Sequence, residues 1–216
     1  MMEFQGFSPE TIDFLWGLRF NNNREWFEPH KKQYQQSLYE PMKALARDLY
    51  PELEDLPELD CKVSRIYRDA RLHPPVPYKE SLWISFRTAD RAWGEQPVFY
   101  FELTPDEYSF GFLLWFPKTW QMEQFRRQLI ADPKEFLGII HQMESTTELR
   151  LEGECFKRPK PCPNESLTRF FELKNLGVTV SRGIDDRLFS PALVGEVREC
   201  FAALKPLMRW CRKVML

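Results

Sequence analysis

Apolar and polar positions follow two periods along the 216-residue chain. The pattern is helical near both ends and extended in the middle. Ser8-Pro9 predicts a helix start, with Ser8 as cap and Pro9 in the first turn, and Phe7 and Ile12 are spaced as a hydrophobic staple. Ile12, Leu15, Trp16 and Leu18 supply the apolar face. Asn21 to Asn23 read as a stop and restart, with Asn22 and Glu25 spaced as a capping box. Trp26, Phe27, Tyr34 and Leu38 carry a second stripe as far as Pro41, where the helix kinks or a new one begins; Met42, Leu45 and Leu49 continue it. "YPELEDLPELD" reads as a polar connector.

Extended segments follow. "CKVSRIYR" predicts a short strand, and "SLWISFRT" a second with Leu82, Ile84 and Phe86 on one face. "VFYFELTPDEYSFGFLLWF" predicts a hairpin turning at Thr104 to Glu107. Its second strand places Tyr108, Phe110, Phe112, Leu114 and Phe116 together, with Ser109 and Gly111 leaving room on the other face. Helical periodicity returns from about Lys118 to Ala131 and again after Asp132-Pro133, through Phe136, Leu137, Ile140 and Met143. "ELRLEG" is expected as a strand, "CFKRPKPCPNES" as a basic loop, "SLTRFFELK" as a short helix and "GVTVSRG" as a strand. Ser190-Pro191 opens a last long helix through Val197, Phe201, Leu204, Met208 and Cys211, with a kink expected at Pro206. Grouped helices, then strands, then mixed elements predict an α+β fold, a largely antiparallel sheet packed against several helices. No linker or repeat divides the chain, so one domain over 1–216 is expected, with at most a helical lobe (1–57) and a lobe of sheet and helices (58–216).

Charge and composition narrow the function classes. The net charge is −2, which argues against nucleic acid as a general partner. No apolar run is long enough to span a bilayer and no secretory leader is visible, so no membrane partner is expected. Five scattered cysteines fit a cytosolic protein with reduced thiols rather than a disulfide framework or a zinc site. The 18 Phe and 7 Trp exceed what a core strictly needs, leaving rings available to line a groove or an interface.

The densest chemistry lies in "SRIYRDARLHPPVPYK". Arg65, Arg68 and Arg71 are spaced by three, with Asp69 among them and Tyr78-Lys79 after a proline run. On a strand, Arg65 and Tyr67 point one way, and Ile66 and Arg68 the other. The three arginines share a face only if the backbone turns near Asp69. Pro74, Pro75 and Pro77 take the segment out of the sheet. Converging guanidiniums would bind a phosphate or carboxylate in two-pronged fashion, with Asp69 orienting one of them and Tyr78 and Lys79 adding donors. The competing reading pairs the same arginines with internal acids as braces. A second cluster, Asn22, Arg24 and Glu25, sits at a helix start that could face this loop. Lys157, Arg158 and Lys160 read as a solvated basic loop beside Phe156, and Lys205, Arg209, Arg212 and Lys213 as a helix end. Asp185-Asp186 read as an ordinary acidic pair near a helix start. Neither a P-loop nor a nucleophile elbow nor a zinc-binding helix motif occurs, and His30, His73 and His141 stand alone. The sequence therefore names no metal, no cofactor and no reaction.

"NNNREWF", "RIYRDAR", "PYK" and the terminal "PLMRW" resemble the domain of unknown function 2461 family, uncharacterised bacterial proteins also found within longer fungal ones. Arg65, Arg68, Asp69 and Arg71 match its R-x-x-R-D-x-R hallmark. Leu72 replaces a customary phenylalanine, and "HPPV" replaces the segment that carries an acidic-lysine pair, so the loop lysine of the family has no counterpart unless Lys79 substitutes. The resemblance implies an α+β fold and a functional arginine loop, without an activity. The leading expectation is a protein that binds a small anionic ligand through Arg65, Arg68 and Arg71, with Asp69 as orienter or general base. The arginines would act by electrostatic stabilisation if it is an enzyme. The alternative is a protein-interaction or scaffold module with an exposed apolar patch.

Overall fold

The computed structural model describes residues 3–69, 71, 75–89 and 91–216. The chain opens with α1 (Pro9–Phe20) and α2 (Arg24–Gln33), followed by a wide π-helical stretch (Tyr34–Tyr39) and α3 (Glu40–Leu49). The sheet strands are β1 (Leu59–Val63), β2 (Leu82–Thr88), β3 (Val98–Leu103) and β4 (Glu107–Leu114). Then come α4 (Thr119–Ala131), α5 (Pro133–Thr146), the single turn α6 (Thr168–Phe171), β5 (Leu176–Gly183) and α7 (Ala192–Met215). The five strands pair in chain order, all antiparallel, so the fold is α+β as expected.

Register explains the two faces of the sheet. Cys61, Phe86, Phe99, Phe112 and Val178 form one cross-strand row, and Val63, Ile84, Phe101, Phe110 and Val180 the next. Both rows face the core with the expected Leu82, Tyr108 and Leu114. Phe201 of α7 stacks on Phe99 at 4.7 Å and meets Phe86 edge-on at 5.8 Å. The alternate row, Lys62, Ser85, Tyr100, Gly111 and Thr179, lies on the opposite face because side chains alternate along a strand. Gly111 does leave room, and what enters it is β5. Its φ of 148° suits glycine, and a Cβ there would strike the Val178 carbonyl. Phe116 lies beyond the end of β4 and is 63% exposed, so it does not join the core row.

The first helices show how Pro41 is accommodated: of the two expected outcomes the second holds, since α3 begins at Glu40 with Pro41 in its first turn. A proline nitrogen cannot donate to the carbonyl four residues back, here that of Ser37. The backbone widens into the π-helical stretch before Pro41. The buried hydroxyl of Thr11 donates to the freed Ser37 carbonyl at 2.6 Å. Thr11 thus belongs to the buried face of α1 with Phe14, Leu15 and Leu18, while Ile12 and Trp16 are only half-buried. The capping register also differs from expectation. Asn23, not Asn22, caps α2, accepting from the Trp26 amide at 2.9 Å.

The connector after α3 is less polar than expected, since a short 3-10 turn buries Leu53 and Leu56 is buried beyond it. "ELRLEG" is not a strand: only Glu152 bridges, to Gly177. α7 runs through Pro206 as one element, packed on β4 and flanked by α3, α4 and α5. Its basic end is tied down by ion pairs, Lys205 to Glu52 at 2.7 Å and Lys213 to Glu135 at 3.3 Å, with Arg209 on Asp55.

Candidate functional site

The arginine segment leaves the sheet immediately after β1. Ser64 still bonds the Trp83 carbonyl through its amide at 2.8 Å. Beyond it, Tyr67 and Tyr78 form an isolated antiparallel bridge, framed by Arg68 N–H to the Pro77 carbonyl (2.8 Å) and Lys79 N–H to the Ile66 carbonyl (2.7 Å). The bridge and its two flanking bonds thus tie the Tyr67–Arg68 and Pro77–Lys79 backbones together. Leu72, His73 and Pro74, on which part of the family departure and of the proline-run expectation rests, lie outside the described residues.

Asn22, released from capping, is the clamp on this bridge. Its Nδ2 donates to the Tyr78 carbonyl at 3.0 Å and its Oδ1 accepts the Tyr78 amide at 3.1 Å. The Tyr78 ring stacks on Phe27 at 4.2 Å, and Tyr67 meets both rings at 5.8 and 5.5 Å. The start of α2 thus does face the arginine loop. It is held there by an amide and aromatic packing, while Arg24 and Glu25 remain exposed and Arg24 pairs with Glu28 at 3.6 Å. Burial raises the Tyr78 phenol above its ordinary value, so it stays protonated.

The three arginines do not converge. Alternation holds as far as Arg68: Ile66 is buried, Arg65 and Tyr67 are exposed and Arg68 is half-buried. Arg65 has no hydrogen-bond or ion-pair partner among the described residues. Arg71 folds back on Asp69 in a two-pronged pair, Nε to Oδ1 at 2.9 Å and Nη2 to Oδ2 at 2.7 Å, with its side chain 88% exposed. Arg68 donates Nε to the Tyr78 carbonyl at 2.8 Å, which fixes its guanidinium at the rim of a cleft of about 580 Å³.

That cleft joins two of the expected cations, Arg68 and Lys79, with Asp69, and is completed by Tyr67, Glu80, Ser81, Thr104 and Arg19. Arg65, Arg71 and Tyr78 are not among its lining residues. Sequence reasoning missed Tyr67, Glu80, Ser81 and Thr104, and also Arg19, on the last turn of α1. It donates to Glu80 at 2.9 Å and to Asp106 at 2.6 Å and rests over Trp16, which makes it a paired cation. Lys79 is different. It lies half-buried over the Trp83 ring, 5.7 Å from the centroid, and no carboxylate reaches it within ion-pair distance among the described residues. Burial first, then the charges of Arg68 and Lys62, lower its pKa, against a smaller opposing pull from Glu102. The two half-buried cations thus act on each other across the cleft, and neither makes an ion pair among the described residues.

Among the described residues no group of three or more His, Cys, Asp or Glu could hold a metal ion, and no helix is long and apolar enough to cross a membrane. Asp185 serves the fold, accepting from the Tyr108 hydroxyl at 3.2 Å and from the Arg187 and Leu188 amides.

Fold and cleft define an α+β protein with a meander sheet and a loop-closed, cation-bearing cleft at its edge. The chain belongs to the family described as conserved hypothetical protein (DUF2461), whose model matches residues 10–210. Comparison with curated proteins finds no match.

Proposed function

We propose that this protein binds a small anionic ligand in the cleft between the Arg68 loop and Lys79. The observation that carries the reading is the pair of half-buried cations, Arg68 and Lys79, that face one cleft with no carboxylate paired to either among the described residues. Holding them close costs free energy that a bound anion offsets by favouring the charged form of Lys79. Arg68 is positioned in advance by its bond to the Tyr78 carbonyl, itself held by Asn22, so little ordering is needed on binding. Arg71 and Arg65 are outside this set. Arg71 is paired locally with Asp69 at the surface rather than with an internal acid.

Titration with inorganic phosphate tests this, followed by calorimetry or amide shifts. Lys79→Met and Arg68→Met are each expected to weaken binding by about tenfold or more, equivalent to roughly 1.4 kcal/mol. Arg71→Ala is expected to bind as the native protein does. Equal binding by all three variants would refute the proposal.

A second reading, a protein-interaction module, draws on a run of contacting rings. Trp83, Trp93, Phe116 and Trp115 are linked at 6.2, 6.4 and 5.8 Å, and the last three are exposed. It expects concentration-dependent self-association or partner capture that Trp93→Ser and Phe116→Ser together abolish.

A further inference from the structure

The cleft holds more than a site for a bare anion. At about 580 Å³ it is within the size range of small-molecule sites and far exceeds a phosphate ion. Its charge is also nearly balanced. Among its lining residues Arg19, Arg68 and Lys79 oppose Asp69 and Glu80, three cations against two carboxylates, which leaves one positive charge. Lys62 and Glu102, which act on Lys79 from the sheet, cancel. A single anionic group matches that surplus, whereas a polyphosphate would bring several uncompensated charges against Asp69 and Glu80.

The wall away from Arg68 and Lys79 is short of donors. Glu80 is an acceptor with lone pairs beyond the one used by Arg19. The Ser81 hydroxyl spends its proton on Glu102 at 2.7 Å and keeps its lone pairs, whereas the Thr104 hydroxyl is fully used, donating to the Glu107 carbonyl at 2.9 Å and accepting from the Asp106 and Glu107 amides. Acceptors such as Glu80 and Ser81 are satisfied by ligand hydroxyls, which donate, and repel ligand phosphates or carboxylates, which only accept. Tyr67, 48% exposed, adds an aromatic surface against which the C–H groups of a sugar ring or polyol chain can pack.

Resting on the anion-binding reading above, we infer that the ligand is a sugar or polyol carrying one phosphate or carboxylate group. The anionic group meets Arg68 and Lys79, and the hydroxyls meet Glu80 and Ser81.

The experiment compares inorganic phosphate, ribose 5-phosphate, gluconate, ribose and ATP on the full chain by calorimetry. Ribose 5-phosphate or gluconate is expected to bind at least about tenfold more tightly than inorganic phosphate, and ATP more weakly than ribose 5-phosphate. Glu80→Gln is expected to shrink the preference for ribose 5-phosphate over phosphate, because an amide replaces an acceptor, without loss of phosphate binding. Phosphate binding that depends on Lys79 but equals or exceeds that of the sugar phosphate and the sugar acid overturns this inference and leaves the anion site standing. Tighter binding of ATP than of ribose 5-phosphate overturns it also. Absence of binding by every probe overturns both.

Discussion

Replacing Asn22 by alanine tests the joint that aims the cleft. The side chain makes two hydrogen bonds to the backbone of Tyr78, at 3.0 and 3.1 Å, and bridges α2 to a loop 56 positions away. Each bond contributes about 1 kcal/mol net, and a buried donor left unmade costs about 1–3 kcal/mol. The Tyr78 carbonyl keeps its bond from Arg68 after the substitution, but the Tyr78 amide loses its partner. A loss of about 2 kcal/mol follows. For a chain of this length that lowers Tm by roughly 4–8 °C. Asn22→Asp is expected to do no better: one oxygen still accepts the Tyr78 amide, but the other faces the Tyr78 carbonyl, where the amide NH2 donated at 3.0 Å. Thermal melting gives the magnitude, and hydrogen exchange locates it, with faster exchange at the Tyr78 and Lys79 amides and little change in β3 and β4. A melting temperature within about 1 °C of native, with unchanged exchange at Tyr78, would refute the clamp, since that corresponds to under about 0.5 kcal/mol.

Other outcomes follow from the same structure. Thr11→Val strips the donor from the Ser37 carbonyl freed by Pro41, and denaturant unfolding should register a loss of about 1–3 kcal/mol. Gly111→Ala forces a Cβ into the Val178 carbonyl at a positive φ and should cost about 3 kcal/mol or abolish soluble expression. Burial lifts the Cys61 and Cys200 thiols from their ordinary 9.0 to about 12. A raised folded-state value stabilises fully below the unfolded value, so melts should show stability present up to pH 9 and lost between pH 9 and about 12. An unchanged Tm across that window would contradict it. Iodoacetamide at neutral pH should modify exposed Cys155 well before buried Cys200 and Cys211, as read by peptide mass mapping.

The sheet was legible because its pattern has period two. Leu82, Ile84 and Phe86, and Tyr108, Phe110, Phe112 and Leu114, recur at every second position and face the core, although Ser85 and Gly111 on the other face are buried too. The hidden features are those in which backbone groups find partners far along the chain. Asn22 and Asn23 are equivalent as caps in sequence, and only the approach of Tyr78 assigns one to the cap and the other to the clamp. Arg19 looks like a helix-end cation until Glu80 and Asp106 are brought beside it. "ELRLEG" alternates like a strand but makes only one bridge to β5. In the arginine motif Arg65 is exposed and Arg68 half-buried, although the strand expected to run to Arg68 ends at Val63. The pairing of Arg71 with Asp69 required a local turn that residue spacing leaves open.

The most direct test is the titration of the Lys79 ammonium, followed by 15N-edited NMR with and without inorganic phosphate. In the free protein its pKa should lie below the usual lysine value, because burial and the neighbouring Arg68 disfavour the charged form. Phosphate bound beside it should raise that value, and Arg68→Met should also raise it in the free protein by removing a like charge. A Lys79 titration that is indifferent to phosphate and to Arg68 would show that the two cations do not share a site.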